Sequence, residues 1–314
     1  TVLHRLAERG RLVIQLLDLG EGRSQPYVWT KGYYDSERQI VEELQRLRFF
    51  DDVCAQRPWE EALEASAKKH GITLALQQEE AVIQSIEQKI HIITGGPGTG
   101  KSTITKVLLD VCAQTTHQIL LAAPTGRAAK RLSELTQREA LTLHSLLSFD
   151  FVTHYFRKNQ HDPLQADVLL VDEASMMDAF LLSALLKAIP DSCKLVLVGD
   201  IDQLPSVGAG NVLNDLIASG QVPVTRLTEI FRQAAHSNIV RNAHRINQGL
   251  FPHTTTERDS DFFFIQEQKP ERLIQHVLGL IARRLPAAYD FHRLKDIQLL
   301  CPMNKGNIGS IEFI

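Results

Sequence analysis

The sequence predicts an α/β fold: a parallel sheet with helices on both faces. Three observations carry this. From residue 90 onward, short apolar runs rich in β-branched residues alternate with stretches of helical periodicity. A glycine-rich segment, residues 95–102, stands between one such run and one such helix. Polar residues gather just past the ends of the apolar runs, where ligands bind in open parallel sheets.

The bulk numbers fit a globular protein. With 314 residues and 44% apolar content the chain holds about two domains with real cores. Net charge is -3, from 34 basic and 37 acidic residues, so any nucleic-acid contact is local rather than global. The four cysteines, Cys54, Cys112, Cys193 and Cys301, lie far apart, which argues against a disulfide framework or zinc site and for reduced thiols in a cytosolic protein. The twelve histidines show no metal-ligand spacing. No apolar run approaches the roughly 18 residues of a membrane span. The first residues lack a signal pattern and an initiating methionine, which predicts a chain that begins inside a longer protein.

Taken in order, residues 1–70 read as an accessory lead-in. Residues 11–19 and 27–29 flank a glycine turn and predict a hairpin. Residues 35–50 predict a helix with Asp35 or Ser36 as N-cap, and 58–69 a second helix ended by Gly71. Residues 71–226 form the main α/β domain, with candidate strands at 90–94, 118–123, 168–172, 194–199 and 222–227. An aromatic and basic stretch, 148–163, interrupts it. Residues 227–314 read as the start of a second α/β unit: a helix at 237–248, a strand at 261–265, a helix at 270–285 and a strand at 297–301.

The chemistry gathers at the strand ends. Gly95-Gly96-Pro97-Gly98-Thr99-Gly100-Lys101-Ser102 fits a phosphate loop in its required strand–loop–helix context. Its N–H groups and the following helix N-terminus would face the β- and γ-phosphates. Lys101 adds a positive charge, and the Ser102 hydroxyl suits Mg²⁺. Asp172 and Glu173 end an apolar strand. Asp172 suits the same Mg²⁺, and Glu173 suits orienting or deprotonating a water. Gln203 is placed to sense a γ-phosphate or simply to satisfy loop backbone. Arg232 fits either a transition-state charge or a solvated surface. Pro124 and Gly126 turn the chain after a strand and free backbone N–H groups and the Thr125 hydroxyl for a polar partner, while Arg127, Lys130 and Arg131 fit a phosphate-backbone contact or a solvated helix face. His144 fits a ligand contact or a packed histidine.

Together these stretches resemble the RecD/TraA group of superfamily 1B helicases. The matching segments are GGPGTGKST, APTGRAAKRL, TLHSLL, LLVDEASMMD, VGDIDQLPSVGAGNVL and LTEIFRQ, in family order. The resemblance is to the stand-alone RecD-like helicases more than to the RecD subunit of the RecBCD nuclease, and covers about residues 30–314. It implies a P-loop, RecA-like motor that hydrolyses ATP with Mg²⁺. It further implies 5′ to 3′ movement on single-stranded DNA and at duplex junctions, in repair or recombination, in the bacterial cytoplasm. It assigns Gln78 to the adenine. Nucleotide contact falls to Gly96, Pro97, Gly98, Thr99, Gly100, Lys101, Ser102 and Thr103, and Mg²⁺ to Ser102 and Asp172. Lys101, Glu173 and Gln203 become catalytic, with Arg232 as an arginine finger. Pro124, Thr125, Arg127 and His144 would lie along DNA, and 148–163 would be a strand-separating pin or a plain surface hairpin. The family's last two motifs would lie beyond Ile314, so the resemblance implies a chain that binds MgATP but turns it over slowly. An ATP-binding module that docks to a partner without translocating would need no Glu173, Gln203 or Arg232; an RNA-directed motor differs only in substrate.

Overall fold

The computed structural model describes residues 2–18, 20, 22–48, 59–229, 236–254, 260–306 and 308–313. They fall into two compact units, Thr1–Phe251 and Pro252–Ile314.

The first unit opens with helix α1 (Val2–Glu8) and an antiparallel hairpin, β1 (Leu12–Asp18) and β2 (Ser24–Thr30). Helix α2 (Lys31–Arg48) follows directly. The expected cap at Asp35 or Ser36 is corrected: both lie inside the helix, and Ser36 Oγ donates to the Gly32 carbonyl at 2.9 Å. A serine satisfied this way is tolerated within a helix. Ile40 and Leu47 of α2 turn inward, and Arg46 anchors it to the main domain. Arg46 donates to the carbonyls of Leu186 and Ile189 at 3.0 and 2.9 Å and pairs with Glu43 and Asp191.

Helices α3 (Trp59–His70) and α4 (Leu76–Glu87) lead into the sheet. Its strands are β3 (Ile90–Gly95), β4 (Ile119–Ala123), β5 (Leu141–Thr142), β8 (Val168–Val171), β9 (Lys194–Gly199) and β10 (Val224–Leu227). Their order is β10-β3-β9-β8-β4-β5, and every pairing is parallel. Alternate residues serve opposite faces. Ile90, Ile92, Leu169, Val171, Leu195 and Leu197 pack against α2, α8 (Ala179–Ala188) and α9 (Val212–Ala218). Ile93, Leu121, Leu170, Val196 and Val198 pack against α3, α4 and α5 (Lys101–Cys112), with Leu132 of α6 (Gly126–Thr136). The expected five strands and two-faced architecture are therefore present, with β5 as an unforeseen edge strand that leads into α7 (Leu143–Leu146). The 148–163 stretch contains a small hairpin, β6 (Phe149–Asp150) and β7 (Tyr155–Phe156), whose Phe151, Val152 and Tyr155 are strongly exposed. The expected helix at 237–248 spans Asn238–Asn247, capped by the Ser237 hydroxyl.

In the second unit the expected strands at 261–265 and 297–301 are corrected: both are irregular. A strand persists only where a neighbour supplies its ladder, and no described segment of this unit does so. The expected helix at 270–285 is an α-helix at Pro270–Gly279, a π-turn at Leu280–Arg284 and a short helix at Leu285–Tyr289. Pro286 has no N–H to give the preceding turn, which accounts for the break.

At the centre of β3, His91 is fully buried. Ser85 Oγ donates to the Ala81 carbonyl at 2.7 Å, so His91 Nδ1–H donates to Ser85 Oγ at 2.8 Å. Nε2 then accepts from Thr225 Oγ1 at 3.0 Å. Burial pushes the imidazole pKa down to about 4. Between that value and the ordinary one near 6.5 the unfolded chain binds the extra proton, so stability rises with pH across this window. We predict that the chain loses on the order of 3 kcal/mol through this group as pH falls from about 7 to about 4. Urea titrations of the parent and of His91→Gln should show the pH slope flattened in the variant; equal slopes would remove His91 as its source.

Candidate functional site

The phosphate-loop segment leaves β3 at Gly95 and enters α5 at Lys101. Gly98 and Gly100 hold φ near +79° and +85°, a region that glycine enters without a Cβ penalty. Thr99 Oγ1 donates to the Gly96 carbonyl at 2.8 Å and closes the loop on itself. The Lys101 ammonium donates to the Gly95 carbonyl and, at 3.1 Å, to that of Gly96. Burial lowers its pKa, against the opposing pull of Asp200, Glu173 and Asp172.

The acids come from neighbouring strand ends. Asp172 follows β8, and burial raises its pKa although the Glu173 N–H donates to its Oδ1 at 2.9 Å. Glu173 takes a left-handed φ of +53°, and burial and then Asp172 raise its pKa. Asp200 follows β9 and is 3% exposed. Its Oδ1 accepts from Asp202 N at 3.0 Å. Its carbonyl accepts from Gln203 N at 3.2 Å, which closes a tight turn after β9.

A cavity of about 660 Å³ gathers these groups. Gly96, Pro97, Gly98, Thr99, Gly100, Lys101, Ser102 and Thr103 line it, with Asp172, Glu173 and Gln203. Two further groups belong to it. Asp200 went unassigned in the sequence, although it is a strand-end acid just as Asp172 is. Arg131, considered there for a phosphate backbone, lines this cavity from α6. Gln78 lies behind the loop, 2% exposed, donating to the Thr99 carbonyl at 3.4 Å and accepting from Ala75 N at 3.1 Å. Arg232 lies outside the described residues.

A groove of about 820 Å³ adjoins the same sheet edge. Pro124, Thr125 and His144 line it, with Phe149, Tyr155 and Phe156 of the small hairpin. His144 is exposed and meets Phe149 edge-on, ring centroids 5.3 Å apart. Asp35, Ser36 and Gln39 of α2 form part of the wall, which the sequence did not foretell. Arg127 is exposed and does not line the groove.

Three segments serve both cavities. After β4, Thr125 lines the groove and Arg131 the loop cavity. After β8, Asp172 and Glu173 face the loop cavity while Met176 and Asp178 face the groove. After β9, Asp200 and Gln203 face the loop cavity while Pro205, Ser206, Val207 and Gly208 face the groove.

Fold and loop together define the class, a parallel α/β domain of the P-loop type. The family described as AAA domain matches residues 78–209. The chain is 38% identical over 247 residues to the ATP-dependent RecD2 DNA helicase of Deinococcus radiodurans, covering 78% of this chain and 32% of that protein. It is 41% identical over 163 residues to the RecBCD enzyme subunit RecD of Haemophilus influenzae, covering 44% of this chain and 26% of that protein. Among solved structures, the Pif1 helicase from Candida albicans aligns with a TM-score of 0.45 at 23% identity, covering 58% of this chain and 45% of that one. The chain is a homologue of the RecD-type helicases, and it spans about a third or less of the length of these two curated relatives.

Gly95 ties loop to sheet. A Cβ there would lie 2.7 Å from Thr99 Oγ1 and 2.9 Å from both Cβ and the carbonyl oxygen of Leu227. We predict that Gly95→Ala costs about 1–3 kcal/mol by forcing β10 and the loop apart. Chemical denaturation measures this; an unchanged midpoint would show that the loop shifts freely.

Proposed function

We propose that this chain is the ATP-binding motor part of a bacterial cytoplasmic DNA helicase that moves 5′ to 3′ on single-stranded DNA in repair or recombination. The observation that carries this reading is the shared wall: three strand-end segments each line both the loop cavity and the groove. Nucleotide chemistry on one side can then alter grip on the other. The RecD-type relationship supports DNA as the polymer, and the similarity to an ATP-dependent RecD2 DNA helicase supports ATP as the nucleotide.

The loop N–H groups and the N-terminus of α5 hold the phosphates. Lys101 exchanges its carbonyl partners for phosphate oxygens. Its ammonium, disfavoured by burial, gains charge partners there. The hydroxyl of Ser102 and the carboxylate of Asp172 are hard oxygen donors that suit Mg²⁺. Among the described residues no cluster of three His, Cys, Asp or Glu side chains forms a metal site. Mg²⁺ would accordingly draw its other ligands from phosphate and water, as this ion prefers. When bound, it would neutralise charge on the outer phosphates.

Glu173 acts as the base for the attacking water. Its raised pKa makes the carboxylate a better proton acceptor than a solvated one. Gln203 reports the γ-phosphate to the groove segment that follows it. Gln78 supports the adenine end by bracing the loop at Thr99. Arg232 acts as an arginine finger, and residues 227–314 begin the second motor domain. In the groove, Phe149, Tyr155, Phe156 and Phe180 offer faces on which bases stack in a sequence-tolerant way. Pro124, Thr125 and His144 follow the strand, and Arg127 meets the phosphate backbone beyond the groove. The exposed tip at Phe151 and Val152 is the strand-separating pin.

The test is nucleotide binding with and without oligonucleotide. Single-stranded DNA should tighten MgATP binding by the parent chain. Lys101→Ala should lower MgATP affinity by about tenfold or more, the scale of a lost charge-assisted contact, and leave DNA binding without nucleotide unchanged. Wild-type nucleotide affinity in Lys101→Ala would refute the site. Stimulation by single-stranded RNA in place of DNA would reassign the polymer.

A further inference from the structure

The helix Asn238–Asn247 carries a histidine onto the phosphate loop. A Cβ on Gly96 would lie 2.7 Å from His244 Cε1 and 3.5 Å from each ring nitrogen. The imidazole therefore rests on bare loop backbone, edge first, with Nδ1 and Nε2 on either side of the contact. Only glycine at position 96 permits this approach. His244 is half-buried, and its Nε2 is sealed from solvent with no hydrogen-bond partner in the structure. A polar group in that condition is costly to keep and calls for an explanation.

The loop itself supplies one. The lysine of a phosphate loop reaches the β- and γ-phosphates. The Lys101 ammonium lies against the Gly95 and Gly96 carbonyls, so this end of the loop is the outer-phosphate end. His244 stands at that end, on a helix outside the sheet.

We infer that His244 is a nucleotide-sensing residue: an imidazole N–H donates to the terminal phosphate of a bound nucleoside triphosphate and ties the helix Asn238–Asn247 to the triphosphate state. This rests on the nucleotide reading of the loop given above. A diphosphate lacks the acceptor, so its binding does not depend on the histidine. The helix then has one arrangement favoured by triphosphate and another by diphosphate, as coupling between two states requires.

The test compares a fluorescent non-hydrolysable ATP analogue with fluorescent ADP on the 314-residue chain, with Mg²⁺ present. In His244→Leu and His244→Asn, affinity for the triphosphate should fall by about tenfold while ADP affinity stays within about twofold, the scale of one hydrogen bond to a charged acceptor. His244→Gln, which keeps a donor at similar reach, should restore most of the discrimination. Circular dichroism identifies any variant that has not folded, and His244→Asn carries the test if His244→Leu has not. Unchanged discrimination in folded loss variants overturns the inference, as does equal loss of both nucleotides, which marks a structural prop. A parent chain that binds neither nucleotide overturns instead the reading of the loop cavity.

Discussion

A parallel sheet buried on both faces leaves its polar chemistry little room except at the strand ends. Strands β8 and β9 are buried along nearly their whole length, and β3 is buried up to Gly95. An unpaired polar side chain among them would cost roughly 1–3 kcal/mol by protein mutational measures. His91 is admitted to β3 because both ring nitrogens are hydrogen-bonded. Because the strands are parallel, their carboxyl ends lie along one edge. The register brings them level: Thr94 pairs with Gly199, Leu197 with Val171, and Val171 with Ala122. Lys101, Asp172 and Asp200 follow from that alignment, each within a few residues of a strand end.

The same burial that orders the sheet sets the electrostatics of its edge. It lowers the pKa of Lys101 and raises those of Asp172 and Glu173, so it disfavours the charged form of both signs. Among the described residues of the cavity no salt bridge joins the lysine to an acid; the ammonium is held by carbonyls instead. A ligand bearing phosphate and a divalent cation satisfies both sets at once, phosphate against Lys101 and Arg131 and cation against the acids. A simple anion would satisfy only the basic half. The cavity's charge pattern is thus consistent with the metal-bound nucleotide proposed above.

Much of this was legible in the sequence. The strand at 194–199 has the same ends in the structure, because a long apolar run bounded by polar residues sets its own limits. The loop was legible for a different reason, since glycine spacing encodes backbone shape directly. What escaped notice depends on distant partners. Arg131 points to the loop cavity rather than to a nucleic-acid backbone because α6 packs beside α5, which no local pattern states. The α2 wall of the groove follows from Arg46 reaching carbonyls near the end of α8. The stretches at 261–265 and 297–301 have strand-like composition but no described neighbour to pair with, so propensity alone misled.

The position of the groove then follows from chain connectivity rather than from a separate design. After β8 and β9 the chain passes the loop cavity first and then reaches the groove, whereas after β4 Thr125 meets the groove before Arg131 meets the loop cavity. The turn Ala174–Met176 moves the chain from Glu173 to Asp178 in one short step, and Asp178 caps α8 by accepting from Leu181 N at 2.8 Å. Asp178 also packs directly beneath the backbone of Gly208, which joins the second groove segment to the first. Ser206 fixes that second segment by donating to the carbonyls of Gly208 and Gly210 at 2.8 and 3.0 Å. The groove walls that continue from Asp172 and Gln203 are themselves hydrogen-bonded and short. The loop cavity and the groove are in this sense two ends of the same three segments.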